Sequence, residues 1–161
     1  KNNKRIAIID RRLPDIEIER LFLDSDILVL PSLPTPWMSF LDAMNHRLPV
    51  ITVGTHANGE IIDSGKTGYV CQVPEAPNCV KGTFILRNQS EANTVTTIWL
   101  RKYESMAQGI AEKIALLAED SDLRTQMGEE GRLNLEKNGK FSIATRNKRL
   151  GAVFDHAFDM Q

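Results

Sequence analysis

Cysteines and metal-ligand spacings are scarce in this sequence. Only two cysteines, Cys71 and Cys79, occur in 161 residues. They are too few for a disulfide framework and leave no second pair for a four-cysteine zinc site, so we expect reduced thiols. The three histidines are scattered, without the HExxH pattern or a comparable ligand spacing. The sequence therefore argues against metal catalysis, and we expect no metal site.

Long hydrophobic runs and an excess of one charge are also missing. No apolar run approaches the roughly 18 to 20 residues that cross a bilayer. Residues 1–5 lead into a strand-like segment rather than into the apolar part of a signal peptide. Lys and Arg number 20 and Asp and Glu number 21, a net charge of -1, so no overall positive field attracts nucleic acid or anionic lipid. These features predict a cytoplasmic protein that does not bind nucleic acid.

Alternating strand and helix patterns fill the first half of the chain. With 42% hydrophobic residues, this length suffices for one sizeable core, and we expect a single domain over residues 1–161. Apolar runs rich in β-branched residues predict strands at residues 5–9, 27–30, 49–53 and 69–71. Helical spacing predicts helices at about 15–24 and 38–47 and a helical turn at 60–63.

This order of elements predicts the fold class. The run 27–30 has no polar alternation, which is typical of a parallel strand buried on both faces. A strand–helix–strand unit of this length crosses over in the right-handed sense, and ligands bind at the carboxyl ends of its strands. We therefore expect an α/β fold with a Rossmann-like, doubly wound parallel sheet. Asp15 is expected to cap the first helix.

The second half of the chain is expected to hold an insertion followed by closing helices. Residues 72–103, with two prolines and stretches rich in Asn, Gln and Thr, favour an inserted segment, either a hairpin or lid or simply a long loop. Helices follow from Met106 to about Glu119, from a Ser121 cap toward Glu136, and over about 145–158. The Gly65-Lys66-Thr67 sequence is expected to be a turn, because a phosphate loop follows a strand, opens a helix and carries a glycine at the position of Glu60.

Three segments carry a family resemblance. In order they are SDILVLPS (25–32), LDAMNHRLPVI (41–51) and GEIIDSGKTGYV (59–70). Together they resemble the nucleotide-sugar half of the family-four, or group 1, glycosyltransferases of GT-B fold, and residues 116–132 are similar to that family's closing helices. The resemblance implies the C-terminal half of a GT-B architecture, incomplete at its N-terminal side. It also implies retaining transfer of a sugar from a nucleoside diphosphate sugar, with no cofactor. The acceptor, and any peripheral membrane contact, would belong to an N-terminal domain outside these residues.

The resemblance also implies a donor site. A helix N-terminus binds phosphate through its free N–H groups, so the backbone amides of Met38 and Ser39 would receive the diphosphate. Asp42 would accept hydrogen bonds from the ribose, and Thr35 would meet a sugar hydroxyl. Trp37 offers an apolar wall near the donor or, equally, core packing. Leu13 occupies the family position whose backbone borders the base.

Departures from the family pattern leave alternatives open. The family has two glutamates eight positions apart; Asp42 matches the second, and Thr35 or Pro34 stands in place of the first. Arg47 stands where the family usually has glycine, and no catalytic residue is assigned. Glu60 is expected to be structural, capping nearby N–H groups, and Arg11 and Arg12 either meet phosphate or are ordinary surface charge. The alternatives to transfer are a non-catalytic binding or assembly domain and a nucleotide-sugar epimerase.

Overall fold

The structure is a computed structural model that describes residues 6–32, 35–55, 57–73, 79–80, 83–84 and 89–159. Side chains are described for 6–32, 35–55, 57–73 and 104–158. The first seven elements in chain order are α1 (Asp15–Leu23), β1 (Leu28–Val29), α2 (Trp37–Asn45), β2 (Val50–Val53), α3 (Asn58–Ile61), β3 (Gly68–Cys71) and β4 (Cys79–Val80). The remaining four are β5 (Thr83–Phe84), α4 (Gln89–Glu119), α5 (Ser121–Leu133) and α6 (Ile143–Asp159).

A three-stranded parallel sheet lies at the centre of the molecule. The strand order is β1-β2-β3, with Val50 opposite both Leu28 and Gly68. All four residues of β2 are buried, which is typical of a central strand covered on both faces. The α/β class with a parallel sheet is confirmed, and the arrangement is compatible with a Rossmann-like fold.

Helices cover both faces of this sheet. Successive side chains of β2 point to opposite faces, so β2 contributes residues to two separate buried clusters. On one face, Val50 packs with residues of α2 and with Ile62, forming a buried cluster of Phe40, Ala43, Met44, Leu48, Val50 and Ile62. On the other, Ile51 and Val53 pack with α4 and α5 in a cluster of Ile51, Val53, Cys71, Leu117 and Met127. Burial raises the pKa of the free Cys71 thiol, which disfavours the reactive thiolate.

One strand prediction is wrong and another holds only in part. Residues 6–9 of the predicted strand 5–9 have no regular secondary structure, and Ile8 is 85% exposed. An apolar run becomes a strand only where a neighbour takes up its backbone groups and one of its faces is covered. β1 is a two-residue strand with Val29 exposed, because β1 pairs with β2 alone among the described strands. Burial on both faces therefore holds for β2 and not for β1.

Helix ends also differ from the predictions. α4 begins at Gln89 rather than at Met106, since helical hydrogen bonding continues through a stretch of weak helix formers. The N-cap positions are Pro14 rather than Asp15, and Asp120 rather than Ser121; the Asp120 carboxylate accepts a hydrogen bond from the Leu123 N–H at 2.8 Å.

The segment predicted as an insertion contains an antiparallel pair of short strands. β4 and β5 pair with Cys79 opposite Phe84, as in the hairpin alternative. Residues 74–78, 81–82 and 85–88 lie outside the described residues, so the insertion itself remains a prediction.

The Gly65-Lys66-Thr67 segment is a turn that leads into β3, as predicted. Gly65 has a φ of 84° and Gly68 a φ of 154°, values that favour glycine. Thr67 closes the turn, because its N–H donates to the Asp63 carbonyl at 2.9 Å and its hydroxyl accepts from the Asp63 N–H at 3.0 Å. These groups are used within the turn, and the segment opens a strand rather than a helix.

His46 links α1 to α2 and gives the stability of the fold a pH dependence. Its ring stacks on Phe22 with 5.0 Å between centroids. Its Nδ1 lies 2.8 Å from the Asp42 carbonyl oxygen and its Nε2 lies 2.9 Å from the Glu19 carboxylate. Burial lowers the pKa of His46, but these hydrogen bonds outweigh it and hold the pKa above the usual 6.5.

We expect this histidine to stabilise the fold mainly at acid pH. Because the folded pKa is raised, the contribution is fully present below pH 6.5 and is lost as pH rises through the folded value. Glu19→Gln should flatten this pH dependence by less than about 1 kcal/mol, since the carboxylate is half exposed. Urea unfolding at a series of pH values measures it. The matched control is Glu17→Gln, which removes a carboxylate paired with Arg11; equal slopes for the two variants would refute the assignment.

Candidate functional site at the carboxyl edge of the sheet

The loop between β1 and α2 is held against the end of β2 by two threonines. The Thr52 hydroxyl donates to the Leu30 carbonyl at 2.9 Å, and the Thr55 hydroxyl donates to the Ser32 carbonyl at 2.9 Å. Both threonines are buried, so these hydrogen bonds are partly shielded from water and hold the Pro31-Ser32 loop at the carboxyl edge of the sheet.

Thr35 ties the far end of the same loop to the start of α3. Its hydroxyl oxygen accepts a hydrogen bond from the Ala57 N–H at 3.1 Å. The hydroxyl oxygen of Thr35, one of the two residues that could stand in place of the family's first glutamate, is therefore used to position the loop. Its proton remains to be donated elsewhere, because a hydroxyl both donates and accepts.

Asn58 organises this edge, and no pattern in the sequence singled it out. Its Nδ2 donates to the Val53 carbonyl at 2.9 Å and lies 3.1 Å from the Thr52 hydroxyl and 3.3 Å from the Thr55 hydroxyl. The residue is fully buried, and its Oδ1 has no hydrogen-bond partner in the described part of the chain. The polar positions Thr52, Thr55 and Asn58 follow one another where an apolar strand ends, but a solvated loop would show the same pattern.

The start of α2 leaves backbone N–H groups without side-chain caps. Its N-cap residue is Pro36, which makes no side-chain cap, and no acidic residue lies in the first turn. The Phe40 N–H donates to the Pro36 carbonyl at 3.3 Å. With no carboxylate beside them, the amides of Met38 and Ser39 lie in the positive end of the helix dipole, which favours an anion.

The predicted site residues of α2 lie on two neighbouring faces of the helix. Met38 and Asp42 are four residues apart, share one face and are both exposed. The Asp42 carboxylate makes no hydrogen bond with any residue that the structure describes. Trp37 and Leu41 share the adjacent face, about 100° away around the helix. Trp37 is 55% exposed, so core packing is wrong, and it lines a cleft against α6.

The other predicted residues lie apart from α2. Leu13 is half buried in a groove beside α1 with Ile9 and Leu21, and no described contact joins it to α2. Arg11 pairs with Glu17 of α1, in keeping with surface charge, and Arg12 is exposed. Glu60 is exposed in α3, whose N-terminus has no side-chain cap, so its predicted capping role is wrong.

Arg47, at the family's glycine position, adopts a left-handed backbone conformation. Its φ is 57°, one residue beyond the C-cap of α2. Helices commonly end in this conformation, and glycine favours it because it has no Cβ. The Arg47 Nε donates to the Glu129 carboxylate at 2.8 Å, a contact to α5 that a glycine would lack.

Comparison with known families identifies the chain. A model of the family described as glycosyl transferases group 1 matches residues 2–82, which is half of the chain. This chain belongs to the group 1 glycosyl transferases. The match spans α1 to β4 and contains all six predicted donor-site residues. No curated protein and no solved structure matches significantly.

Neither a metal centre nor a membrane span is found in this group 1 glycosyl transferase within its described residues. No three His, Cys, Asp or Glu side chains there are grouped to hold a metal ion. None of its described helices combines the length and apolarity needed to cross a bilayer.

Proposed function

We propose that this chain binds a nucleoside diphosphate sugar at the carboxyl edge of its sheet and supports transfer of the sugar with retention of configuration. The acceptor would be held by a second, N-terminal domain that completes a GT-B architecture. Family membership supports sugar transfer as the activity and gives no support to a non-catalytic role. The observation that carries the donor site is the uncapped start of α2, fixed beside the sheet edge by Thr35, Thr52 and Thr55.

The diphosphate would be bound by the amides of Met38 and Ser39. Backbone N–H groups and the helix dipole stabilise negative charge without reorganising. In the transfer step the bond between the anomeric carbon and the phosphate oxygen would break, with its electron pair staying on that oxygen. The acceptor's hydroxyl oxygen would bond the anomeric carbon on the same face, and its proton would pass to the departing phosphate. The fixed N-terminus of α2, rather than a metal ion, would stabilise the charge that develops on the departing diphosphate.

The remaining contacts would fix the orientation of the donor. The Asp42 carboxylate is exposed and makes no hydrogen bond with the described residues, so it would be able to accept two hydrogen bonds from ribose hydroxyls. The Thr35 hydroxyl, held by the Ala57 N–H, would donate its proton to a sugar oxygen but supplies no charge. Trp37 would flank the donor, and the Leu13 backbone would border the base.

Removing the Asp42 carboxylate is expected to weaken nucleotide binding. Asp42→Ala should cost about 1.5 to 3 kcal/mol, roughly a 10- to 150-fold rise in Kd, because charged hydrogen bonds to the ribose are lost. Isothermal titration with UDP, GDP and ADP, free and sugar-linked, measures it. The Kd of Asp42→Asn should fall between those of the parent chain and Asp42→Ala, since an amide oxygen still accepts a hydrogen bond.

A carboxylate elsewhere on the surface provides the control. Asp24→Ala changes the exposed residue at the C-cap of α1 and should leave the affinity unchanged. An unaltered Kd for Asp42→Ala, or an equal loss for both variants, would remove Asp42 from the site.

A further inference from the structure

α1 is attached to α2 by few of the described side chains. None of its nine residues is buried, although Phe22 packs against the buried cluster that contains Met44 of α2. Glu19 of α1 makes a polar contact with His46, the C-cap residue of α2, at 2.9 Å. Because so little of α1 is buried, its position against α2 depends on this contact.

Both nitrogens of the His46 ring face acceptors. Nδ1 lies 2.8 Å from the Asp42 carbonyl oxygen, and Nε2 lies 2.9 Å from a Glu19 carboxylate oxygen. A neutral imidazole carries one N–H and can serve one of these acceptors, whereas the imidazolium serves both. Burial lowers the pKa of His46, but the hydrogen bonds to Asp42 and Glu19 and their negative charges raise it above its usual value. Since only 8% of the side chain is exposed, water replaces a lost partner poorly, and the contact is complete only when the ring is protonated.

The other charged groups beside the ring carry counterions of their own. Arg47, Asp26 and Arg124 line a small pocket together with His46. Arg47 pairs with Glu129 at 2.8 Å, and Arg124 pairs with Asp26 at 3.6 Å. Because these charges are compensated, titration of the ring acts chiefly on its contact with α1.

This contact lies between two parts of the proposed donor site. The Leu13 backbone, just before α1, would border the base, and the Asp42 carboxylate of α2 would bind the ribose. We propose that His46 is a positioning residue of this site, which holds α1 against α2 at the separation that one nucleoside requires. The role rests on the proposed function. Base and ribose are joined by a covalent bond, so both contacts form together only at a matching separation of the helices, and a preset separation lowers the cost of binding.

The pH dependence of nucleotide-sugar affinity tests this role. Calorimetry of the 161-residue chain with UDP-glucose, GDP-mannose and ADP-glucose, from about pH 5.5 to about pH 8.5, stays above the usual range of carboxyl titration. A sugar-linked diphosphate also lacks the terminal phosphate group that titrates near about pH 6. We expect the Kd to rise about two- to fivefold as pH increases through the raised pKa of His46, because the contact with the half-exposed Glu19 carboxylate is then lost. The midpoint should match the titration of the His46 ring followed by NMR.

Glu19→Gln assigns the effect to this pair, since the sequence also contains His56 and His156. A glutamine amide can donate to a neutral ring or accept from a charged one, so the Kd of this variant should be almost independent of pH. The matched control is Asp24→Asn, which removes an exposed carboxylate at the C-cap of α1 and should keep the pH dependence of the parent.

Two kinds of failure can be told apart. A parent Kd that does not change with pH, or a change that persists in Glu19→Gln, would overturn the role of His46 and leave the donor site standing. Binding of none of the three nucleotide sugars at any pH would instead refute the proposed function, and the role of His46 with it.

Discussion

Gly128→Ala is expected to destabilise the folded chain by about 3 kcal/mol, because the added methyl group would meet backbone rather than a yielding side chain. A Cβ at this position would lie 2.0 Å from the Arg47 carbonyl oxygen and 2.8 Å from its carbonyl carbon. Gly128 is a buried residue of α5, and Arg47 follows α2 in a left-handed conformation. Neither segment can retreat without disturbing the packing of α5 on α2.

Replacing a second glycine, Gly151, is expected to stabilise the chain instead. Gly151 lies inside α6 and would place its Cβ in open space, with nothing within 4 Å. Gly151→Ala should therefore stabilise the chain by about 0.5 to 1 kcal/mol through helix propensity alone. Urea unfolding of both variants measures the two free energies. Similar effects of the same sign would contradict the close approach of α5 to Arg47.

Asn58→Asp is expected to cost about 3 kcal/mol at neutral pH, because it would place a charged acceptor where the fold needs a donor. The amide of Asn58 donates to the Val53 carbonyl and contacts two threonine hydroxyls, all without exposure to water. A carboxylate there faces the Val53 carbonyl oxygen with no proton to share. The Pro31-Ser32 loop of the candidate site should also become less well held, because Thr52 and Thr55, which bind it, contact Asn58.

The pH dependence separates this mechanism from simple loss of packing. Burial raises the pKa of a carboxyl group, so the deficit of Asn58→Asp should be smallest in acid and should grow as pH rises through that raised value. Urea unfolding of parent and variant from about pH 4.5 to about pH 8 gives the difference. Asn138→Asp changes an exposed position and should lose almost no free energy of unfolding at any pH in this range. A deficit that does not change with pH would contradict a buried carboxylate at this site.

The sequence predicts the elements whose own residues decide their burial. The strand predicted at 49–53 is found as β2, and the periodicity of α2 places Phe40, Ala43 and Met44 in the core. Residues 5–9 have a similar composition but form no strand over 6–9, because a strand depends on a neighbour that composition does not reveal. The start of α4 at Gln89 was missed for a related reason, since helix propagation overrides the weak propensities of Asn and Thr.

The sequence predicted the helix that forms the candidate site but not the hydrogen bonds that hold this helix and its loop in place. The order of Pro31-Ser32, α2 and Asp42 could be recognised from the sequence, and the family match covers these residues. The role of Asn58 could not, because an asparagine in a polar loop has the same signature whether it is solvated or buried. Thr35 likewise meets Ala57 across 22 positions of sequence, a contact that only the folded chain brings about.

The arginine at position 47 gives the clearest case of a departure that the structure explains. The family's glycine suits a left-handed residue at the end of α2, and Arg47 keeps that conformation with a φ of 57°. The close approach of Gly128 to the Arg47 carbonyl depends on this geometry. The departure therefore preserves the backbone path that leads from α2 into β2.

Residue-resolved NMR of the isotope-labelled 161-residue chain, titrated with UDP, GDP and ADP, tests the proposed donor site most directly. One of the three nucleotides should shift the amide resonances of Met38 and Ser39, with smaller shifts at Thr35 and Asp42, and Asp42→Ala should weaken the response. Shifts confined to other parts of the chain, or no shift at the start of α2 with any of the three, would contradict nucleotide-sugar binding at this edge of the sheet.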